Sequence, residues 1–308
     1  VMGIRTNPVL NVVCRPIIWV ASFVGRHFPE TLVKIRYLVR FHKRLNLKSP
    51  QTLNEKILYM SLRTDTTLWT RLADKYAVRG YVEECGLSDI LVPLYGHWGN
   101  ADEIDFQKLP NSFVLKTVQG SGDIILVKDA STVDMNAIRY KMDKAVRMKY
   151  GELEGGKHYM RIKPAIIAES FMVNDDVSAK YSTSIIDYKI WCFNGKPYYV
   201  WACCNRDKHG TDVMTYDLDW HAHPEYSVFY DHYREGQIIP KPDNFDQMML
   251  IAEKLAKPFP VVRVDLYNLA GKIYFGEMTF TSLGGLMDFY TDDFQKMCGD
   301  LIDVNYKG

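Results

Sequence analysis

Over residues 49–86 apolar side chains recur at helical spacing. Leu53, Ile57 and Tyr59-Met60 share one face, and Leu68, Leu72, Tyr76 and the stretch 79–82 continue the period to Gly86, a C-terminal cap. From about residue 90 the period shortens to that of strands. Phe113-Val-Leu-Lys-Thr117 alternates, Gln119-Gly-Ser-Gly-Asp123 is turn material and Ile124 to Lys128 returns, which predicts a hairpin with a glycine-rich tip. A polar helix follows over 134–149, then a loop from Gly151 to Gly156, then a buried strand over 165–171 carrying one acid, Glu169. Asn194-Gly195, set between Ile190-Trp-Cys-Phe193 and Pro197-Tyr-Tyr-Val-Trp201, has the composition of a two-residue type I′ hairpin turn. Pro197 then sits where the ladder needs no donor. Residues 205–240, rich in Asp, His, Tyr and Pro, read as an irregular excursion over the surface. Asn244 with Gln247 has the spacing of a capping box, opening a helix to about 257 whose inner stripe is Phe245, Met248, Ala252 and Leu255. Strands over 261–267 and 272–280 close an α+β chain with no internal repeat.

Composition adds little except at one end. The chain has 308 residues with 47% apolar and 24% charged positions, which excludes a disordered or fibrous chain. Thirty-eight Lys and Arg against 37 Asp and Glu leave no global field toward nucleic acid. Residues 1–48, however, hold nine bases and the single acid Glu30, so that end is +8 and the remainder −7. Its longest apolar run, Pro16 to Gly25, is about half the ~20 residues a spanning helix needs and is flanked by Arg15 and Arg26. Arg-His-Phe-Pro after that run is no signal-peptide cleavage site. What remains is a basic amphipathic leader in which Trp19 and Phe23 share a face. It lies on an anionic membrane surface, or it packs on its own protein or a partner. Six cysteines without a C-x-x-C pair suit a reducing, cytoplasmic compartment.

The chemistry concentrates in the last two strands. In Val261-Val-Arg-Val-Asp-Leu-Tyr267 the apolar residues 262, 264 and 266 face one way, so Arg263 and Asp265 share the other. If the connection around Asn268 to Gly271 is odd-numbered, position 263 lies opposite 277 and Arg263, Asp265, Glu277 and Thr279 form one patch. An even loop sends Glu277 to the opposite face. Two strand-borne carboxylates beside an arginine offer the oxygen ligands that a hard cation bridging phosphates requires; the plain alternative is a solvated face with a cross-strand ion pair. Lys116 precedes the glycine tip and can reach a phosphate over which that tip closes, although the tip is not a Walker A loop. Lys189, Asp187, Lys75 and Glu169 are further polar residues on apolar elements. His221-Ala-His223 lacks a third metal ligand, and Cys203-Cys204 on a strand point to opposite faces. G-x-S-x-G, H-E-x-x-H and G-x-G-x-x-G patterns are absent from the sequence.

Seven short motifs occur in order: Leu72-Ala-Asp-Lys-Tyr-Ala-Val-Arg79; Leu91-Val-Pro-Leu-Tyr-Gly96; Leu109-Pro-Asn-Ser-Phe-Val-Leu-Lys116 with Gly120-Ser-Gly-Asp123; Ile166-Ile-Ala-Glu169; Asp187-Tyr-Lys189 with Phe193-Asn-Gly195; Val262-Arg-Val-Asp-Leu-Tyr267; and Tyr274-Phe-Gly-Glu277. Together, over about residues 50–303, they resemble the TupA-like ATP-grasp family, named for teichuronopeptide synthesis. The resemblance implies two α+β lobes gripping ATP, and carboxylate–amine ligation through an acyl phosphate. It implies that Lys116 and Lys75 hold the ATP phosphates under a lid of Gly120, Ser121, Gly122 and Asp123, and that Glu169 sits near adenine or ribose at the hinge. Asp187 and Lys189 would line the nucleotide pocket, Asp265 and Glu277 would bind magnesium, and Arg263 would stabilise charge at the acyl centre.

Two positions depart from that family's habit. Glu277-Met-Thr279 replaces the common Glu-x-Asn, which puts a second magnesium in question, and Ser282-Leu-Gly-Gly285 lacks a further Gly or Pro near Leu283, which puts the acceptor pocket in question. The expected organisation is a leader over 1–48, a helical region over 49–110, a first lobe with the lid over 111–167 and a second lobe with the metal site over 168–308. The expected substrates are ATP with Mg2+, a saccharide carrying a uronic acid, and an amino acid or other amine, in surface polysaccharide assembly at the inner membrane face. Two alternatives stay open: a glycosyltransferase, for which Asp217-Leu-Asp219 has the spacing of a metal-binding Asp-x-Asp, and a nucleotide-binding scaffold without turnover. Oligomeric state is not set by the sequence.

Overall fold

The computed structural model describes residues 8–308 apart from Ser121, with side chains from residue 17 onward. Two helices lead, α1 (Pro8–His27) and α2 (Pro29–Phe41); Pro29 starts α2, where its missing N–H has no helical partner to lose. α3 (Leu53–Arg63) opens with a full capping box, Thr52 accepting from the Glu55 N–H while the Glu55 carboxylate accepts from Thr52. α4 (Thr67–Ala73) and α5 (Ala77–Glu84) follow. They are separated at Asp74, whose Oδ1 accepts the Tyr76 and Ala77 N–H groups and restarts the helix, so Lys75 occupies a turn rather than a helix interior. Gly86, at φ +67°, ends this run as the left-handed cap the sequence suggests.

The first lobe is an antiparallel sheet in the order β1-β4-β2-β3, made of β1 (Leu94–Trp98), β2 (Phe113–Thr117), β3 (Ile124–Val127) and β4 (Ile166–Ser170). One face, with Phe113, Leu115, Val127, Ile166 and Ala168, packs on Ile138, Met142 and Val146 of α6 (Met135–Val146). The other face carries Lys116 and Glu169. Short helices α7 (Tyr150–Glu154) and α8 (Lys157–Met160) connect α6 to β4. Because β1 and β4 pair over a long separation, this sheet runs from residue 94 to 170, and the expected boundaries at 111 and 167 cut through it.

The second lobe is a six-stranded sheet in the order β10-β9-β5-β6-β7-β8. Its strands are β5 (Asp187–Phe193), β6 (Lys196–Cys204), β7 (Thr211–Tyr216), β8 (Tyr233–Glu235), β9 (Val261–Leu269) and β10 (Lys272–Thr279). Asn194 and Gly195 both adopt positive φ, as the type I′ turn between β5 and β6 requires. Residues 205–240 are not wholly irregular, for β7 and β8 lie within them. β7 alternates Thr with Met and Val too briefly to signal a strand, yet its Thr211 and Thr215 are buried. Against one face lies α9 (Phe245–Ala256), whose Phe245, Met248, Ala252 and Leu255 share a core with Ile190, Val262, Val264, Leu266 and Phe275. The capping box at its start does not form. Asn244 Nδ2 donates instead to the Gly271 carbonyl (2.8 Å), and its Oδ1 accepts from Asn268 (2.5 Å), tying α9 to the β9–β10 turn. α10 (Asp292–Leu301) closes the chain against α3. The leader is not a separate body: Val33 and Tyr37 of α2 are buried with Leu58, Leu62 and Leu286.

Candidate functional site

The face of the second sheet turned away from α9 carries the charges. β9 and β10 are joined by a two-residue turn, Ala270-Gly271, with Leu269 opposite Lys272. The loop is therefore even, and uninterrupted pairing would have sent Glu277 to the apolar face. Glu277 nevertheless lies directly opposite Asp265, and Thr279 opposite Arg263, because a bulge at Gly276 shifts the register by one residue. Gly276 is confined there: a Cβ would sit 3.0 Å from the Asp265 carbonyl oxygen and 3.2 Å from the Tyr267 ring. Pairing with β5 sets Lys189 opposite Asp265 and Asp187 opposite Tyr267 on the same face.

These side chains neutralise one another in a buried network. Arg263 grips Asp265 with two bonds, Nε to Oδ1 and Nη2 to Oδ2, both 2.7 Å, and reaches Ser282 Oγ at 2.6 Å and Thr279 Oγ1 at 3.1 Å. Lys189 bonds Asp265 Oδ2 and, at 2.6 Å, Asp187 Oδ2, to which Arg206 adds a contact at 3.1 Å. Burial pushes the Asp265 carboxyl up, outweighing the pull of Arg263 and Lys189 in the other direction. Burial acts the same way on Asp187 and Glu277 but is outweighed, by Lys189 and Arg206 for the first and by Lys75, Lys189 and Arg263 for the second, so both are held below the usual carboxylate range. Glu277 is the most open of the three carboxylates, its side chain 39% exposed.

The first lobe supplies cations. Lys116 on β2 and Glu169 on β4 project from the same sheet face and meet at 2.5 Å, with Arg79 of α5 on the other carboxylate oxygen at 3.4 Å. Glu169 is thus engaged by Lys116, the lysine expected to hold phosphate. Lys75 joins the lobes: its ammonium donates to the Gly120 carbonyl in the glycine tip (2.6 Å) and lies 3.9 Å from Glu277 Oε2. Burial, with Lys116 nearby, lowers the Lys75 pKa, and Glu277 offsets this only in part. Gly122 is in the left-handed region at φ +81°, as a tight tip requires; Ser121 lies outside the described residues.

Six cations (Lys75, Arg79, Lys116, Lys189, Arg206, Arg263) meet four carboxylates (Glu169, Asp187, Asp265, Glu277) in this network, while Asp74 adds its charge beside Lys75 and Asp123 lies in the glycine tip. Such a concentration of lysines and arginines is what the phosphates of a nucleotide require. Asp187 Oδ1 is buried without a hydrogen-bond partner, so one acceptor of the network is left open. Asp265 and Glu277, directly opposed, offer oxygen ligands to a hard cation. Among the described residues no group of three or more His, Cys, Asp or Glu is placed to hold a metal, so such a cation completes its shell with phosphate oxygens and water. Arg206 is not singled out by the sequence, and Ser282 is singled out only as part of the turn after the last strand, without a role toward Arg263. Arg206 sits in the stretch read as irregular, and Ser282 follows the last strand in a turn where Leu283 and Gly284 have positive φ.

The remaining candidates do other things. Asp217 accepts from both His221 (3.1 Å) and His223 (3.2 Å), which uses the first carboxylate of Asp217-Leu-Asp219 in a local cluster. Cys203 and Cys204 are both buried, and burial pushes their thiols up to about 11 and about 12.

A family model described as TupA-like ATPgrasp matches residues 55–303. No curated protein matches the chain in sequence. Among solved structures, an ADP complex of N5-carboxyaminoimidazole ribonucleotide synthetase is similar at 12% identity and TM-score 0.45, over 72% of this chain and 49% of that one. D-alanine–D-alanine ligase from Bacillus anthracis complexed with ATP is similar at 12% identity and TM-score 0.40, over 76% and 63%. The Helicobacter pylori D-alanine–D-alanine ligase is similar at 14% and 0.41, over 82% and 66%. The matches thus span about half to two thirds of those proteins.

Proposed function

Since the chain belongs to the TupA-like ATP-grasp family, we propose that it is an ATP-dependent carboxylate–amine ligase. Its substrates on this reading are a saccharide bearing a uronic acid and an amino acid or similar amine, joined as an amide during assembly of a surface polysaccharide on the cytoplasmic side of the membrane. The observation that carries the reading is the cleft cluster, in which Lys75, Lys116, Lys189 and Arg263 converge and the Asp265 and Glu277 carboxylates sit opposed on rigid strands. The polysaccharide setting rests on the family's association with teichuronopeptide synthesis.

In this scheme Lys116 and Lys75 bind the phosphates, and the tip from Gly120 to Asp123 covers them, since Lys75 already holds that tip through the Gly120 carbonyl. Lys189, buried between Asp187 and Asp265, has a pKa raised above the ordinary lysine value, because these two carboxylates outweigh burial and Arg263; it stays charged for the phosphates. Asp265 and Glu277 would hold Mg2+, which would supply screening of the phosphate charge for attack by the substrate carboxylate. Arg263 is fixed by Asp265 on one side and Ser282 on the other, so its guanidinium needs no reorganisation as charge develops on the acyl phosphate. The amine then displaces phosphate and leaves the amide. Burial of this network keeps water from the acyl phosphate.

The test is ADP release by the purified chain with a panel of uronates and amines. Turnover that requires both, and that falls at least ~100-fold in Asp265→Asn and Glu277→Gln, supports the reading. Turnover indifferent to either substrate across a broad panel overturns it. Binding of a nucleotide sugar without binding of ATP would instead favour a glycosyltransferase.

A further inference from the structure

The leader presents an apolar surface that is exposed among the described residues. On α1 the side chains of Trp19, Val20 and Phe23 face solvent, Trp19 being 70% exposed and stacked on Phe23 at 5.9 Å. Phe28 at the corner is 57% exposed, and Leu38 and Val39 continue the surface along α2. The opposite sides of both helices close on α7. A Cβ on Gly25 of α1 would strike the Glu152 carbonyl, and a Cβ on Gly155, just after α7, would lie 2.8 Å from Val33 of α2. Both helices thus turn one side to the body and the other, apolar side away from it. A patch of this kind marks an interaction surface.

Charge decides what it meets. The body's acids take the inward bases: Glu152 binds Arg26, Glu154 binds Arg36 and Asp288 binds Arg40. Glu30, the leader's acid, is held by Lys34 and Arg63, each at 2.8 Å. Beyond α2 the exposed segment 42–48 adds Lys43, Arg44 and Lys48. Only Lys43 has an acidic partner among the described residues, Asp292, itself 84% exposed, a pair of little worth. An apolar face with an exposed tryptophan on α1, followed after α2 by Lys43, Arg44 and Lys48, matches the headgroup region of an anionic bilayer. None of the described helices is long and apolar enough to cross a membrane, so the pair lies on the surface.

We infer that α1 and α2 form a docking face for an anionic membrane. The face is mechanically continuous with the catalytic arginine. The Arg36–Glu154 pair packs against Gly284, where a Cβ would come within 2.3 Å of Glu154 Oε2. Gly284 belongs to the turn that carries Ser282, and Ser282 holds Arg263. Docking through this face would therefore bear on the turn that holds Arg263.

Co-sedimentation of the full chain with vesicles tests the inference, using phosphatidylcholine alone and phosphatidylcholine mixed with phosphatidylglycerol. The expected result is binding to the mixed vesicles only, weakened by salt, and about ten-fold weaker in a Trp19→Glu/Leu38→Glu variant. That variant should keep the wild-type melting temperature and affinity for a non-hydrolysable ATP analogue, since both positions are exposed and far from the cluster in contacts. Equal binding by variant and wild type, or no binding to anionic vesicles, overturns the inference. So does a dimer in sedimentation velocity that the variant dissolves, which would assign the face to a second copy. Failure of the ligase reading would appear separately, as loss of nucleotide binding with vesicle binding intact.

Discussion

Asp265 is fully spoken for before any ligand arrives. Arg263 takes one bond on each of its oxygens and Lys189 a second on Oδ2. With Lys75 beside Glu277, three cations guard two carboxylates, so a bare divalent ion meets a positive neighbourhood. Metal should therefore bind only with a nucleotide whose phosphates draw the lysines away. Lys189→Met removes one guard. A divalent ion and a lysine ammonium even ~8 Å apart repel by about 4 kcal/mol at an effective dielectric of ~20. If half of that is lost to rearrangement, affinity rises about 30-fold, at 1.4 kcal/mol per ten-fold. The substitution also costs stability. Breaking a buried ion pair costs about 3–5 kcal/mol, and the lower end applies because Asp187 retains Arg206 and Asp265 retains Arg263. At roughly 2–4 °C per kcal/mol the melting temperature should fall by about 6–12 °C. Adding Asp187→Asn should recover part of this by removing the least-paired carboxylate. Electron paramagnetic resonance of Mn2+ without nucleotide reads the metal directly: negligible binding by wild type, clear binding by the folded Lys189→Met chain. Tight nucleotide-free binding by wild type that Asp265→Asn abolishes would refute the reasoning, as would a folded Lys189→Met chain that binds no Mn2+.

Two further outcomes follow from the geometry. Gly276→Ala forces a Cβ to 3.0 Å from the Asp265 carbonyl, so it should cost about 1–3 kcal/mol and loosen metal-dependent nucleotide binding by displacing Glu277; calorimetric titration and thermal melting check both, and wild-type behaviour in each would mean the bulge is not set by this glycine. His223 donates to Glu225 (2.7 Å) and Asp217 (3.2 Å), and these bonds outweigh burial to raise its pKa above 6.5. A raised folded value means stability fully present below the unfolded value and lost as pH rises through the folded one. The urea midpoint difference between wild type and His223→Gln should therefore shrink from pH 5.5 to pH 9, by less than about 1 kcal/mol for so exposed a pair, and a difference constant with pH would count against it.

How much of this was legible depends on the distance over which each feature is decided. The Asn194-Gly195 turn, the stripe of α9 and the shared face of Arg263 and Asp265 are settled within a few residues, and pattern alone shows them. The site is settled elsewhere. Glu277 reaches Asp265 only because Gly276 undoes what an even turn dictates, and the local signal for that is a glycine in a strand interior. Glu169 meets Lys116 through the pairing of β2 with β4, some fifty residues apart, which no local period reports. The capping-box spacing at Asn244 was present, yet a tertiary bond to Gly271 won the side chain. Alternation can say that a strand face is charged, but whether those charges meet water, each other or a ligand depends on which strands become neighbours. Here they meet each other: Lys189 reaches Asp265 through the pairing of β5 with β9, and Lys75 reaches Glu277 from the other lobe. A charged ligand entering there meets cations that the chain's own carboxylates already hold, so its binding has to exchange one set of ion pairs for another rather than fill a bare charge.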